Sequence, residues 1–499
     1  MKKYRAVLVC LMIILFVLLT AGISQAKNLE ADVVVVGAGS SGLCAALTLG
    51  FGGASVVVFE KMPFPGGASN FAEGIFAVES KMQLRHKIPL TKDEAFKRHM
   101  DGTHWIANAR LVRAVIDKSA STIDWLEQLG VEFIEPAAVF PGGPRTWHLV
   151  KGMGAGLVKP LVARAKAEKE IKLLLETPVK SLVMEEGRVA GVVAVDKNGN
   201  SIRAKAKVVI IASGGYGNNK DWLDKYVKGG RYATPLIPLG QTGGPIEMAW
   251  EAGAAPDGLG VVMALPIVPR EKMDSHLVAA GAQPWLWINQ LGERFCDESI
   301  FFNFPNAANA LANQPNGVGY CVFGEDTKKF MMERGIYVGL GAFVPVLTKL
   351  IHIDRDIERG VKVGNAFIGN SLEELSEKLG VNSKVFKATV DEYNRCCEMK
   401  HDYIFAKNPK YLQMVKKGKF YAVKFSLQLL TTMGGIKINH KTEVLKKDYQ
   451  VIPGLYAVGN CAGGMYGDSY ELITTGGAFG FAVNSGRIAG ENALKYIGK

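Results

Sequence analysis

The stretch Ala31-Asp32-Val33-Val34-Val35-Val36-Gly37-Ala38-Gly39-Ser40-Ser41-Gly42 decides the fold. Its β-branched run is continuous rather than alternating, as for a strand buried on both faces. The turn after it has the spacing Gly37-x-Gly39-x-x-Gly42 and enters a helical stretch from Leu43. A second strand, Ser55-Val56-Val57-Val58-Phe59, ends at Glu60. Strand, glycine turn, helix and second strand form a dinucleotide-binding unit. Gly37 allows the tight turn, Gly39 lets backbone approach a pyrophosphate, and Gly42 lets helix and strand pack closely. The helix start at Ser41 offers unpaired N–H groups and a partial positive charge to phosphates. Glu60 stands where a carboxylate accepts hydrogen bonds from an adenosine ribose. A carboxylate there disfavours a 2′-phosphate, which argues against NADP and leaves NAD and FAD.

The extreme N-terminus bears on that choice. Lys2, Lys3 and Arg5 precede an apolar run from Ala6, and Ser24 and Ala26 supply small residues at a cleavage site. Residues 1–26 therefore read as a secretory signal peptide. The alternative is an uncleaved membrane anchor, since the run is near the lower length limit for a span. Export favours FAD, because a diffusible nicotinamide is not regenerated outside the cytoplasm whereas a tightly bound flavin stays with its protein. The chain has 499 residues, enough for two domains with one interrupting the other. Its charge of +12 is scattered, with Lys166 and Lys169 mixed among Glu168 and Glu170. No basic region is interleaved with aromatics, so nucleic acid is not an expected partner; an acidic redox protein is a secondary reading. The seven cysteines lack haem-attachment and ferredoxin spacings, so no metal site and no second redox centre are expected.

Further strands are predicted over Val189–Val195, Lys207–Ala212 and Gly454–Gly459. Helices are predicted over Leu111–Leu129, ended by Gly130; over Leu372–Leu379, opened by the capping pattern Ser371-x-x-Glu374; and from Ala478 to Tyr496. Several segments then resemble one family. Glu60-Lys61, Pro65-Gly66-Gly67-Ala68-Ser69 and Ala72-Glu73-Gly74 resemble its second flavin motif, and Ala212-Ser213-Gly214-Gly215-Tyr216 resembles its strand-to-turn return to the flavin. Ile123-Asp124-Trp125-Leu126-Glu127-Gln128-Leu129-Gly130 resembles a helix-to-glycine segment common in it. Asn289-x-x-Gly292-x-Arg294-Phe295-x-x-Glu298, Thr432-Met433-Gly434-Gly435 and Gly454-Leu455-Tyr456-Ala457-x-Gly459 resemble its capping segment and the return from it. The family is that of the flavoproteins related to fumarate reductase, succinate dehydrogenase and 3-ketosteroid dehydrogenase, and the match covers nearly the whole chain after residue 26.

The resemblance implies an α/β fold: a Rossmann-like FAD-binding domain, split in sequence, with an inserted α+β capping domain. The expected division is 27–262 and 426–499 for the flavin domain and 263–425 for the cap. It implies flavin contacts at Lys61, Gly67, Ala68, Ser69, Gly74, Ser213, Gly214, Gly459, Asn460 and Ala478. The last of these opens a helix whose N-terminus can stabilise the reduced flavin. Ala68 replaces the histidine that carries a covalent flavin in some relatives, so the FAD is expected to be non-covalent.

The pocket departs from the fumarate reductases. Phe302 stands where they place a proton-donating arginine, and Leu265 and Thr431 stand where they place histidines. Gly467-Asp468-Ser469-Tyr470 looks like the ketosteroid dehydrogenases, where such a tyrosine bonds a ketone oxygen. A dicarboxylate needs cationic partners, so an apolar substrate is expected, with Leu265, Phe302, Thr431 and Tyr470 lining its pocket. Tyr470 is the first catalytic candidate, followed by His104, Arg145 and His148. The resemblance implies hydride transfer between flavin N5 and a C=C bond conjugated to a carbonyl, in an exported ene-reductase. Its rivals are a ketone-desaturating dehydrogenase and a non-catalytic electron carrier or sensor. A cytochrome, an FMN protein or a quinone is expected to exchange electrons with it.

Overall fold

The computed structural model describes residues 27–499 except 140–141, 238–239, 342 and 417. The signal-peptide reading lies outside the described residues. The first strand, Lys27–Val36, is central to an eight-stranded sheet. It pairs in parallel with Val56–Phe59 on one side and Ser201–Ile211 on the other, Val33 facing both Val56 and Val208. Ile171–Leu174 extends one flank, and Val451–Ala457 extends the other, followed by Glu443–Leu445. A strand from near the chain's end thus lies beside Ser201–Ile211, and the sheet is assembled from two separated stretches of sequence.

Helix Ser40–Phe51 packs on the final helix, Gly477–Tyr496, over one face of this sheet. Val33, Val35, Val56, Val58, Val208 and Ile210 turn to that layer, while Val34, Val36, Val57, Val209 and Ile211 turn to the other core. This two-sided burial is why the first strand reads as an unbroken apolar run. Strand Ser201–Ile211 begins six residues before the predicted start at Lys207. Its first half alternates buried Ile202, Ala204 and Ala206 with exposed Arg203 and Lys205. The charged positions face water and hide the strand from a search for continuous apolar runs.

A second, six-stranded sheet is built around Phe420–Thr432. Val318–Gly324, Val262–Ile267 and Ala366–Gly369 pair antiparallel with it, Thr234–Pro235 in parallel, and Leu286–Asn289 continues beyond Val318–Gly324. The long strand ends at Thr432, whose hydroxyl accepts a 2.8 Å hydrogen bond from the Tyr216 amide, a few residues beyond strand Ser201–Ile211 of the first sheet. One strand therefore joins the two units. Among the described residues no helix is long and apolar enough to cross a membrane.

Candidate active site

The glycine turn is closed tightly enough to exclude side chains at two positions. Gly37 adopts φ +111°, and a Cβ there would stand 2.5 Å from the Ala212 carbonyl oxygen. A Cβ on Gly42 would stand 1.9 Å from the Gly37 oxygen. The turn delivers the start of helix Ser40–Phe51, which has no side-chain cap. The Ser40 amide donates instead to Ser69 Oγ at 3.1 Å, tying the turn to the 3₁₀ segment Gly67–Phe71 that contains Ala68. Ser69 Oγ also donates to Ser40 Oγ at 2.8 Å.

Glu60 is buried and accepts from the Ala38 amide at 2.8 Å and the Met62 amide at 2.9 Å. Its carboxylate is thereby fixed beside the turn. Lys61 donates to the Gly240 carbonyl, and burial pulls its pKa below the usual lysine value. Gly74 opens strand Gly74–Phe76 against the His148 backbone. Ser213 Oγ donates to the Gly214 carbonyl at 3.3 Å. The Gly459 amide donates to Ser485 Oγ at 3.0 Å, and a Cβ on Gly459 would meet Ser41 Oγ at 2.8 Å. Asn460 Nδ2 donates to Thr431 Oγ1 at 2.9 Å.

These residues fit a dinucleotide. A Cβ on Gly67 would meet nothing within 4 Å, and one on Gly214 or Gly39 nothing nearer than 3.8 Å. Three backbone segments thus leave open faces around an uncapped helix start, with a buried carboxylate at the side. The final helix adds a second N-terminus at Gly476, which supplies no side-chain cap of its own. Among the described residues no cluster of His, Cys, Asp and Glu is arranged to hold a metal ion.

Tyr470 is buried, and its hydroxyl accepts a 3.3 Å hydrogen bond from the Ala478 amide in the first turn of that helix. Burial pushes its pKa up to about 12. Its neighbour Ser469 accepts from Asn309 Nδ2 at 2.8 Å, which joins the segment to helix Phe304–Ala312. Leu265 is buried on strand Val262–Ile267, which also pairs with the stretch carrying Thr431. Phe302 is half-buried in the turn Glu298–Asn303, with its ring 5.5 Å from that of Tyr411.

His104 is exposed and faces Asp468 at 3.6 Å. Arg145 Nε donates to the Pro136 carbonyl at 3.0 Å, with Glu135 at 3.9 Å. His148 is buried 2.7 Å from Ser80 Oγ, and burial lowers its pKa to about 4.

Sequence reasoning missed His99 and Glu471. His99 comes from helix Lys92–Gly102 and is fully buried, with Nδ1 2.6 Å from Glu471 Oε1 and 2.8 Å from Thr474 Oγ1. Its Nε2 lies 2.7 Å from the Met465 carbonyl. Burial opposes the charge on each partner, yet their attraction outweighs it: His99 is raised and Glu471 is lowered. The one visible signal was an acid, Glu471, set between Tyr470 and the apolar pair Leu472-Ile473.

Known proteins resemble this chain in sequence and fold. A family model described as an FAD binding domain matches residues 32–476. A vinyl phenol reductase of Lactiplantibacillus plantarum is 36% identical over 487 residues, spanning 94% of this chain and 98% of that protein. A cytochrome-type fumarate reductase of Shewanella frigidimarina is 27% identical, spanning 96% of this chain and 80% of that protein. Among solved structures, the open form of a flavocytochrome c3 fumarate reductase superposes with a TM-score of 0.72 at 26% identity, covering 95% of this chain and 80% of that one. A 3-ketosteroid Δ1-dehydrogenase from Sterolibacterium denitrificans reaches 0.77 at 18% identity, covering 93% and 99%, a likeness of fold. The chain belongs to the FAD-binding family that contains these fumarate reductase-like flavoproteins, and it is an FAD-dependent oxidoreductase acting on C=C bonds.

Proposed function

We propose that this protein reduces an alkene conjugated to an oxygen-bearing group, a phenol or a carbonyl, using non-covalent FAD. Bound flavin supplies a hydride at N5. The observation that carries the reading is the hydrogen bond from the Ala478 amide to the buried Tyr470 hydroxyl. With its oxygen occupied as an acceptor, Tyr470 keeps its own proton free to donate. A pKa of about 12 keeps that proton in place at neutral pH. Tyr470 then donates to the substrate oxygen and stabilises the negative charge that gathers there as the C=C bond takes up hydride.

A phenol conjugated to a vinyl group suits such a site as well as an enone does. Protonation of its terminal carbon, with loss of the phenolic proton, leaves a ketone-like methide whose exocyclic carbon accepts hydride. Hydride and proton together convert C=C to CH–CH, and the oxygen recovers its proton. The relative named a vinyl phenol reductase supports this class. Leu265, Phe302 and Thr431 support it too, because they offer no cation. Burying a dicarboxylate among them would cost several kcal/mol. Ala68 has no side-chain nitrogen to bond a flavin, which supports the non-covalent cofactor. Electrons come from a separate cytochrome, FMN protein or quinone, and the basic N-terminus supports export.

Photoreduced protein mixed anaerobically with para-hydroxystyrene, an enone, an enoate and fumarate tests the reading. The expected result is rapid flavin reoxidation by para-hydroxystyrene or the enone, and slow reoxidation by fumarate. Fumarate as the fastest oxidant, or no reoxidation by any alkene, overturns it.

A further inference from the structure

Tyr466 carries a buried hydroxyl that makes no well-formed hydrogen bond within the protein, its polar neighbour being the Tyr470 hydroxyl. The residue is 5% exposed, and such orphaned polar atoms are rare enough in folded proteins to require an explanation. Its ring centroid lies 4.6 Å from that of Tyr470, with the planes inclined at 36°. Its hydroxyl reaches the start of the final helix, where a Cβ on Gly477 would stand only 2.6 Å from it. The Tyr470 hydroxyl bonds the next residue of that helix, Ala478. Two phenolic hydroxyls therefore converge on the first turn of one helix, where Tyr470 already accepts from an amide.

The ring of Tyr466 also packs 5.7 Å from the ring of His99, which is held by Glu471 and by the Met465 carbonyl. A buried hydroxyl beside Tyr470 and a fixed backing describe a donor site whose acceptor comes from outside the chain. Its chemistry is that of an oxygen carrying developing negative charge. Two such oxygens could reach it, that of the substrate and a carbonyl of the bound flavin.

We infer that Tyr466 is a second substrate-binding hydroxyl, which with Tyr470 forms a two-donor seat for the phenolate or enolate oxygen of the substrate. This rests on the reading of Tyr470 given above. Burial holds the Tyr466 pKa well above its ordinary value, so the hydroxyl stays a donor at neutral pH. A phenol seated by two donors is bound by its oxygen, so a vinyl arene lacking that oxygen is a poor ligand and a poor oxidant of the reduced enzyme.

The test uses the flavin-loaded protein, with para-ethylphenol titrated by its perturbation of the flavin absorbance. Tyr466→Phe is expected to weaken para-ethylphenol by roughly three- to tenfold, the scale of one hydrogen bond to a neutral acceptor. Flavin potential and flavin retention stay unchanged, and the melting temperature holds or rises because an unsatisfied polar atom has been removed. Gly477→Ala, which crowds the same hydroxyl, is expected to weaken the phenol similarly with both tyrosines intact. Unchanged phenol affinity in Tyr466→Phe overturns the inference. So does a shifted flavin potential with unchanged phenol affinity, which would assign the hydroxyl to the flavin. Tyr470→Phe is the separate control: full activity in that variant defeats the underlying reading whatever Tyr466 does.

Discussion

Glu471 follows Tyr470 in the chain and pairs with His99, whose ring packs against that of Tyr466. Each member of this buried pair shifts the other, His99 above 6.5 and Glu471 below 4.5. A histidine raised on folding contributes stability that is complete below its unfolded value and fades as pH climbs through its folded one. A carboxylate lowered on folding contributes stability present above its unfolded value and lost as pH falls through its folded one. The pair is therefore fully stabilising between 4.5 and 6.5, and its contribution declines once pH passes the raised His99 value. His99 is faced by Glu471, Thr474, the Met465 carbonyl and the Tyr466 ring, so no other acid competes for its proton. The double variant His99→Gln with Glu471→Gln has nothing there to titrate. Its melting temperature should lie furthest below that of the parent near pH 6 and converge on it toward pH 9. A gap that stays constant across that range would mean that folding shifts the titration of neither group.

Elements were legible in the sequence wherever their cause was local. The glycine turn, the strand ending at Glu60 and the final helix each follow from residues within a few positions of one another. Phe302 and Leu265 were visible as departures from a pattern, although a pattern does not say which neighbours surround them. His99 and Thr474 are 375 positions apart, and nothing local in either helix or loop announces their meeting. The contact between helix Met153–Ala167 and the 3₁₀ segment Gly67–Phe71 was hidden in the same way. There the Gly154 amide donates to the Ala72 carbonyl at 2.6 Å, and a Cβ on Gly154 would fall 1.6 Å from the Ser69 carbonyl oxygen. That backbone cannot yield without moving Ser69, which bonds the start of the glycine-turn helix. Gly154→Ala should therefore weaken FAD by about tenfold or more, read as flavin absorbance retained per protein after gel filtration. Gly244→Ala, where a Cβ meets nothing within 4 Å, is the matched control and should keep its flavin. Equal retention in the two variants would show that the helix start tolerates displacement of this segment.

At the scale of the whole molecule, the second unit is pinned by a buried ionic network apart from the flavin-domain sheet. Arg294 forks onto Glu298 with two 2.8 Å contacts and reaches Asp402 at 2.7 Å, while Lys407 lies 3.0 Å from Glu298. Two cations and two anions balance. Together they fasten strand Leu286–Asn289, whose Trp287 amide donates to Glu298, to the segment around Asp402 and Lys407. Arg294 also lies over the rings of Tyr393 and Phe405, at 5.1 and 4.9 Å. Arg294 and Glu298, which belong to the stretch resembling the family's capping segment, contact each other and the interior. Methionine in place of Arg294 keeps much of the volume but leaves two carboxylates with one lysine. Breaking a buried pair in this way costs about 3–5 kcal/mol, because the surviving charge is uncompensated. For a unit of this size that is roughly a 10 °C fall in melting temperature, taking 2–4 °C per kcal/mol. The flavin-domain sheet shares none of these contacts, so Arg294→Met should bind FAD normally at low temperature. Calorimetry beside flavin-release fluorescence separates the effects: an early unfolding step with flavin still bound is expected. Simultaneous loss of flavin and fold, at an unshifted temperature, would show that the network does not govern the second unit on its own.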